Sequence, residues 1–222
     1  MGRAKLPRKS TNIDMTAMCD VAFLLLSFFI LATKTKAPEI VNVSTPSSVS
    51  TFSIKKENQL LVTINHDGKV FLSIANKQKR KAIVTDLNTR LQLQLSPSDI
   101  ASTDQAEIFA TPLQTLKSYL MSIKESQAAG DKLPGIPAKD STNNQLNDWL
   151  ASAVSVYANS GDQMNLIVKG DNVVKYPVFK NVIAAFKKND LMKFNIITSQ
   201  EGLDKSTDLY KEKMSGNKEA GK

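Results

Sequence analysis

The 222-residue chain has one cysteine, one histidine, one tryptophan, nine glycines and eight prolines. A lone Cys19 excludes a disulfide scaffold. Cys19 and His66 together fall short of the four nitrogen or sulfur ligands of structural zinc and the three of most catalytic zinc. There is no glycine-rich phosphate loop. No metal and no cofactor is expected, and the usual nucleophile–base pair is missing, so an enzyme is not expected either. A hydrophobic fraction of 41% and a mean hydropathy of −0.22 are those of a mostly soluble chain and exclude a multi-span transporter.

Charge is in surplus: 29 Lys and Arg against 21 Asp and Glu give a net charge of +8. Arg3, Lys5, Arg8 and Lys9 stand just before Val21–Ala32, the one strongly apolar run, and so read as the cytoplasmic flank of a membrane segment. Elsewhere bases alternate with acids, without the aromatic and basic interleaving that binds single strands, so no nucleic-acid partner is expected.

The apolar run alone has the length of a signal-peptide core. Lys34 and Lys36, however, occupy the place of a cleavage site, and Cys19 precedes the run rather than following it as in a lipoprotein. Extended from Ile13 to Thr33, a helix would be about 31 Å long, which matches the hydrocarbon thickness. Asp14 would then lie near the cytoplasmic interface and Asp20 well inside. On the insertion scale Asp20 costs about 2.5 to 3.5 kcal/mol, while the Val, Leu, Ile and Phe residues of the run contribute about −3 to −5 kcal/mol together. The span is viable but marginal, and it needs a protein partner to receive Asp20.

At about 100° per residue, Thr16 and Ser27 fall within about 40° of Asp20, making one polar stripe on an apolar cylinder. Taken singly, Thr16 and Ser27 can bond back to their own helix or serve as polar companions of the acid. Asp20 has no such option, since its side chain is too short to reach water from that depth, and it is the candidate proton- or ion-handling group. Cys19 reads as an ordinary small residue of the helix.

The remainder reads as an α+β fold of two layers. Residues 34–58, rich in Ser, Thr and Pro, form a linker in which Ile40, Val41 and Val43 could add a short strand. Gln59–Asn65 and Val70–Ile74 flank Asp67-Gly68, a hairpin signal that puts His66 on an exposed turn. Apolar spacing predicts a helix over 81–95, a strand at Met164–Lys169, a helix at Tyr176–Asn189 and a last strand at Phe194–Thr198. The core order is β-β-α-β-α-β over 59–200. It is interrupted by 96–162, in which two apolar helix faces around 112–123 and 146–157 suggest an inserted helical hairpin, separable from the core or docked on it. A basic tail covers 1–12, and 201–222 reads as a disordered tail.

The stretch from Asn12 to Leu26 resembles the opening of the ExbD/TolR family of biopolymer-transport proteins, in which an Ile-Asn-x-Thr-Pro motif leads into a membrane helix with an essential Asp. Ile13 and Thr16 agree, Asp14 stands for the Asn, Ala17 for the Pro, and Asp20 falls on the essential acid. The resemblance continues through Ile40–Pro46, the Thr63–Leu72 hairpin and Leu166–Tyr176, and leaves out the insertion. It implies a homodimer of single-span subunits inside a pentameric ExbB/TolQ-like channel of the bacterial inner membrane, with the N-terminus cytoplasmic and the C-terminal domain periplasmic. Asp20 would carry protons, with Thr16 and Ser27 facing the channel, and motion would pass to an envelope-spanning transducer of the TonB or TolA kind. The expected role is thus ExbD-like energising of TonB-dependent transport. A TolR-like envelope-integrity role and a passive cell-wall anchor are the alternatives.

Overall fold

The computed structural model describes residues 15–33, 40–48, 57–128, 130–139 and 143–200. The basic tail 1–12, Ile13 and Asp14 of the expected span, linker stretches 34–39 and 49–56, and the tail 201–222 lie outside them. The chain divides into two units, Met1–Glu39 and Ile40–Lys222.

In the first unit, α1 runs over Thr16–Ala32, 17 residues with no buried side chain. Its length is about 26 Å at 1.5 Å per residue. No helix of the described residues is long and apolar enough to cross a membrane. The expected helix began at Ile13, outside the described residues, and the described helix stops one residue short of the expected Thr33.

The second unit is α+β, as expected, around a mixed four-stranded sheet. Its elements are β1 (Ser47–Ser48), β2 (Gln59–Ile64), β3 (Val70–Ile74), α2 (Lys77–Leu91), α3 (Pro97–Ser102), α4 (Leu116–Met121), α5 (Ile123–Ala128), α6 (Leu146–Ser160), β4 (Asn165–Gly170), α7 (Tyr176–Lys188), β5 (Asn195–Ile197) and β6 (Ser199–Gln200). The sheet order is β3-β2-β4-β5, with β2 antiparallel to β3, and parallel pairs between β2 and β4 and between β4 and β5. Register aligns Leu60, Val62 and Ile64 with Ile74, Leu72 and Val70 on one side, and Leu60 and Val62 with Leu166 and Val168 on the other. Because side chains alternate across a strand, these residues share one face. All are buried, in one core with Ile83 and Leu87 of α2, Trp149 and Leu150 of α6, and Val182 and Phe186 of α7.

Local chemistry moves two boundaries. The helix expected at 81–95 begins four residues earlier, because the Asn76 side chain accepts hydrogen bonds from the Gln78 and Lys79 amides at 2.9 and 3.2 Å. It ends at Leu91, where Gln92 takes a left-handed conformation (φ 52°). Leu95 is still buried beyond the helix end, where its amide donates to the Asn88 side chain at 3.0 Å. The short strand expected at Ile40–Val43 lies instead at Ser47–Ser48, after Pro46, and pairs in parallel with Ser199–Gln200.

The insertion is not a hairpin standing apart from the core. Helix α6 lies against α2 and α7, while α4 lies against α3. The stretch between them closes the outer edge of β3. Leu72 and Phe109 exchange amide–carbonyl hydrogen bonds of 2.9 and 2.7 Å, and the Ile136 amide donates to the Val70 carbonyl at 2.7 Å. What reads in sequence as a breaker-rich turn, Gly130–Pro137, is thus a sheet contact. Gly135 fits there because it has φ 79° and because a Cβ would come within 2.9 Å of Lys69 and 3.2 Å of the Val70 backbone. Phe109 and Trp149, both fully buried, stack with centroids 4.6 Å apart. Arg80, also buried, donates to the carbonyls of Ile74, Thr103 and Asp104 at 2.7 to 3.3 Å, binding the end of β3 to the insertion.

Truncating a buried aromatic costs about 3 to 5 kcal/mol. Trp149→Ala should therefore lower the thermal midpoint of the full chain strongly while leaving one transition. Replacing 96–162 by a short Gly/Ser loop should abolish the cooperative transition seen by circular dichroism. A truncated chain that still melts cooperatively would show that the sheet core does not depend on the insertion.

Candidate functional site

Helix α1 presents its apolar side chains outward along its whole length: Phe23 is 66%, Phe29 61% and Leu31 86% exposed. Asp20 begins the second turn, four residues after Thr16, and Ser27 follows seven later, so the expected stripe of Thr16, Asp20 and Ser27 forms on one side of a regular helix. Thr16 and Asp20 are exposed and Ser27 is half-buried. Among the described residues the Asp20 carboxylate has neither a hydrogen-bond donor nor an ion-pair partner, and α1 itself contains no Lys, Arg or His. Cys19 is an unbridged, exposed thiol beside it.

The second unit brings together residues far apart in sequence. Segment 40–48 runs along the core with Val41 buried and Pro46 bordering a groove. Asp171, just past β4, holds it: one carboxylate oxygen accepts from the Ser44 amide at 3.0 Å and the other from the Val173 amide at 3.1 Å. The Asn172 amide donates back to the Ser44 carbonyl at 2.9 Å. Those two amides on its carboxylate hold Asp171 below the usual carboxylate range. Further along, the Thr45 and Ser199 hydroxyls are bonded at 2.6 Å. At the other end, the Ile40 carbonyl sits 2.7 Å from where a Cβ on Gly130 would lie, so that glycine admits the segment. The groove beside Pro46, of about 310 Å³, is walled by Val168, Gly170, Val174, Tyr176, Phe179 and Ile196.

Other chemistry-bearing residues have structural partners. His66, on the hairpin turn as expected, pairs with its neighbour Asp67 at 3.2 Å. Lys79 pairs with Asp162 and Ser160 and lies 5.1 Å over the Tyr157 ring. Burial pushes the Tyr157 hydroxyl up to about 12, so it keeps its proton at neutral pH and the cluster ties α2 to α6. Sequence reading missed this cluster and the Asp171 clamp, because both join residues separated by about eighty positions or more; the only local hint was an Asp following a strand-ending glycine.

Residues 7–201 match the family described as biopolymer transport protein ExbD/TolR. The chain belongs to the ExbD/TolR family. The match covers Thr16, Asp20, Ser27 and Asp171, and it runs through the insertion that the resemblance read from short motifs had left out. Comparison with curated proteins and with solved structures returned no significant match. Membership of the family identifies biopolymer transport as the process in which the chain takes part.

Because the folded pKa of Asp171 is depressed, its clamp is in place above the ordinary carboxylate pKa of about 4 and is released as pH falls below that value. Asp171→Ala should do the same at neutral pH. Amide hydrogen exchange at Ser44 and Val173 should quicken by an order of magnitude or more, with exchange in β2 unchanged. Unaltered protection at Ser44 would show that the segment is held without the carboxylate.

Proposed function

We propose that this chain is the ExbD-like subunit of a proton-driven motor in the bacterial inner membrane. Helix α1, extended toward Ile13, spans the membrane once, with the basic tail 1–12 on the cytoplasmic side and the α+β unit in the periplasm. A dimer of such helices sits within a pentameric ExbB/TolQ-like channel, where Asp20 gains and loses a proton as its surroundings alternate between wet and dry. Thr16 and Ser27 face the channel beside it. The movement passes through segment 40–48 to the periplasmic unit and on to a TonB-like transducer, so that transport across the outer membrane is energised.

Asp20 carries this reading. It is an acid with no partner among the described residues, on a helix that is otherwise largely apolar, at the position that the resemblance of the Asn12–Leu26 stretch gives to the family's essential acid. A charge moved across the membrane field is worth about 2.3 kcal/mol per 100 mV, enough to bias two positions of a helix. A passive cell-wall anchor would leave such an acid without a role.

Asp20→Asn keeps the size and neutral hydrogen bonding of the protonated acid but cannot ionise. Transport in cells carrying only this variant should fall to the level of cells without the protein, while co-purification with the channel subunit persists. Wild-type transport by the Asn variant would refute the proton role. On topology, a reporter active only in the periplasm should work when fused after Lys222; activity only in an N-terminal fusion would reverse the orientation.

A further inference from the structure

The outward side of α7 and the loop after it carry an uncompensated positive charge. Between Asn172 and Thr198 there are five lysines, Lys175, Lys180, Lys187, Lys188 and Lys193, and a single acid, Asp190. All five lysines are exposed, and none has an ion-pair partner among the described residues. Other cations of the unit are held: Lys79 is paired with Asp162, Arg90 with Asp86 at 3.8 Å, and Arg80 is enclosed by carbonyls, while Lys77 and Lys81 of α2 are exposed like the five here. At about 100° per residue, Tyr176, Lys180, Ala184 and Lys187 form one stripe, directed away from the buried Val182, Ala185 and Phe186. Tyr176 is 72% exposed and Val173, just before the helix, 69%. Exposed lysines together with an exposed aromatic and an exposed aliphatic side chain are the composition of a surface that meets anionic headgroups, with the aromatic ring at headgroup level.

This chain offers no internal occupant for the face. The segment after Gln200 has five acids and five lysines, a net charge of zero, and so lacks complementarity. The chain enters this unit at Ile40, only seven residues after Thr33, the last described residue of the α1 segment. We propose that the outward face of α7, with Tyr176, Lys180 and Lys187, together with the lysines that flank it, docks against an anionic phospholipid surface. The proposal rests on the reading of α1 as a membrane helix, since that reading puts lipid close to the unit. Docking would hold the periplasmic unit down until a partner or a pull on segment 40–48 lifts it.

The test uses the full chain reconstituted into vesicles. An environment-sensitive fluorophore is placed on Cys19 in one preparation and, in a Cys19→Ser background, on Ala184→Cys in another. Position 184 should be shielded from an aqueous quencher several-fold more in vesicles containing phosphatidylglycerol than in pure phosphatidylcholine. The difference should be present at about 0.01 M salt and vanish at about 1 M, where the screening length drops from about 30 Å to about 3 Å. It should also vanish in the variant Lys180→Gln, Lys187→Gln, Lys193→Gln, whose unchanged thermal midpoint would confirm that it is folded. Equal quenching at 184 in the two lipids overturns the docking. Shielding by soluble polyglutamate but not by phosphatidylglycerol also overturns it and assigns the face to an acidic macromolecule. The Cys19 label keeps the two readings apart: an open Cys19 sinks the membrane reading of α1, while the response at 184 still decides the docking.

Discussion

An unpaired strand edge is the constraint on which the α+β unit is built. Of the two outer strands, β3 presents its free backbone groups on the side away from β2. Exposed, such an edge invites pairing with another chain; buried without partners, each amide or carbonyl costs about 1 to 3 kcal/mol. The insertion answers both. Phe109 and Ile136 pair with Leu72 and Val70, and Arg80 occupies the carbonyls where the strand ends. Once the edge is closed, Phe109 is directed at Trp149, and α6 is seated beside α2 and α7. Burial lowers the pKa of the Arg80 guanidinium, and the nearby Glu107 and Asp104 carboxylates act against that shift. The insertion thus covers the edge through Phe109 and Ile136 and adds α6 to the helical layer.

The opposite edge, β5, is treated differently. Past Thr198 the chain runs on into β6, which pairs with Ser47–Ser48 in a separate two-stranded sheet. The polypeptide between α1 and the sheet is therefore fastened near the C-terminal end of the fold, through Asp171 and Ser199, rather than hanging from β2. Under the proposed function this matters mechanically. A pull entering at Ile40 acts on the loop between β4 and α7 before it reaches the central strands, and that loop begins the helix whose outer side carries the unpaired lysines. The bonds of this clamp are solvent-exposed and few, which is the profile of a contact that opens locally while the core stays folded.

Much of this was legible in the sequence, for physical reasons that can be named. Strands β2, β3 and β4 and helix α7 announce themselves by apolar spacing, because each buries side chains in the same core. The Thr16, Asp20 and Ser27 stripe is legible because polar residues at helical spacing stand out against an apolar background. The start of α2 was not, since Lys77, Lys79, Arg80 and Lys81 look like a solvated run and nothing local tells that one of the four, Arg80, turns inward to carbonyls supplied by Thr103 and Asp104. Nor was the packing of the insertion: two apolar faces 30 residues apart say that something must be covered, and only the tertiary structure says that it is the edge of β3.

The two units differ most in how their polar groups are satisfied, and that difference bears on where function resides. In the second unit the buried charges and the strained Gly135 have partners within the chain: Arg80 has carbonyls, Asp99 has the Ser96 amide, and Gly135 has the β3 backbone against it. In the first unit Thr33 returns its hydroxyl to the Ile30 carbonyl at 2.9 Å, as a helix-end threonine can, but Asp20 has nothing comparable among the described residues. A carboxylate cannot bond back to its own helix in the same way, because it has no proton to donate while ionised and the amides one turn away are already used. Under the proposed function its partners come from the channel subunit, and an acid whose partners belong to a second protein changes protonation when that protein moves.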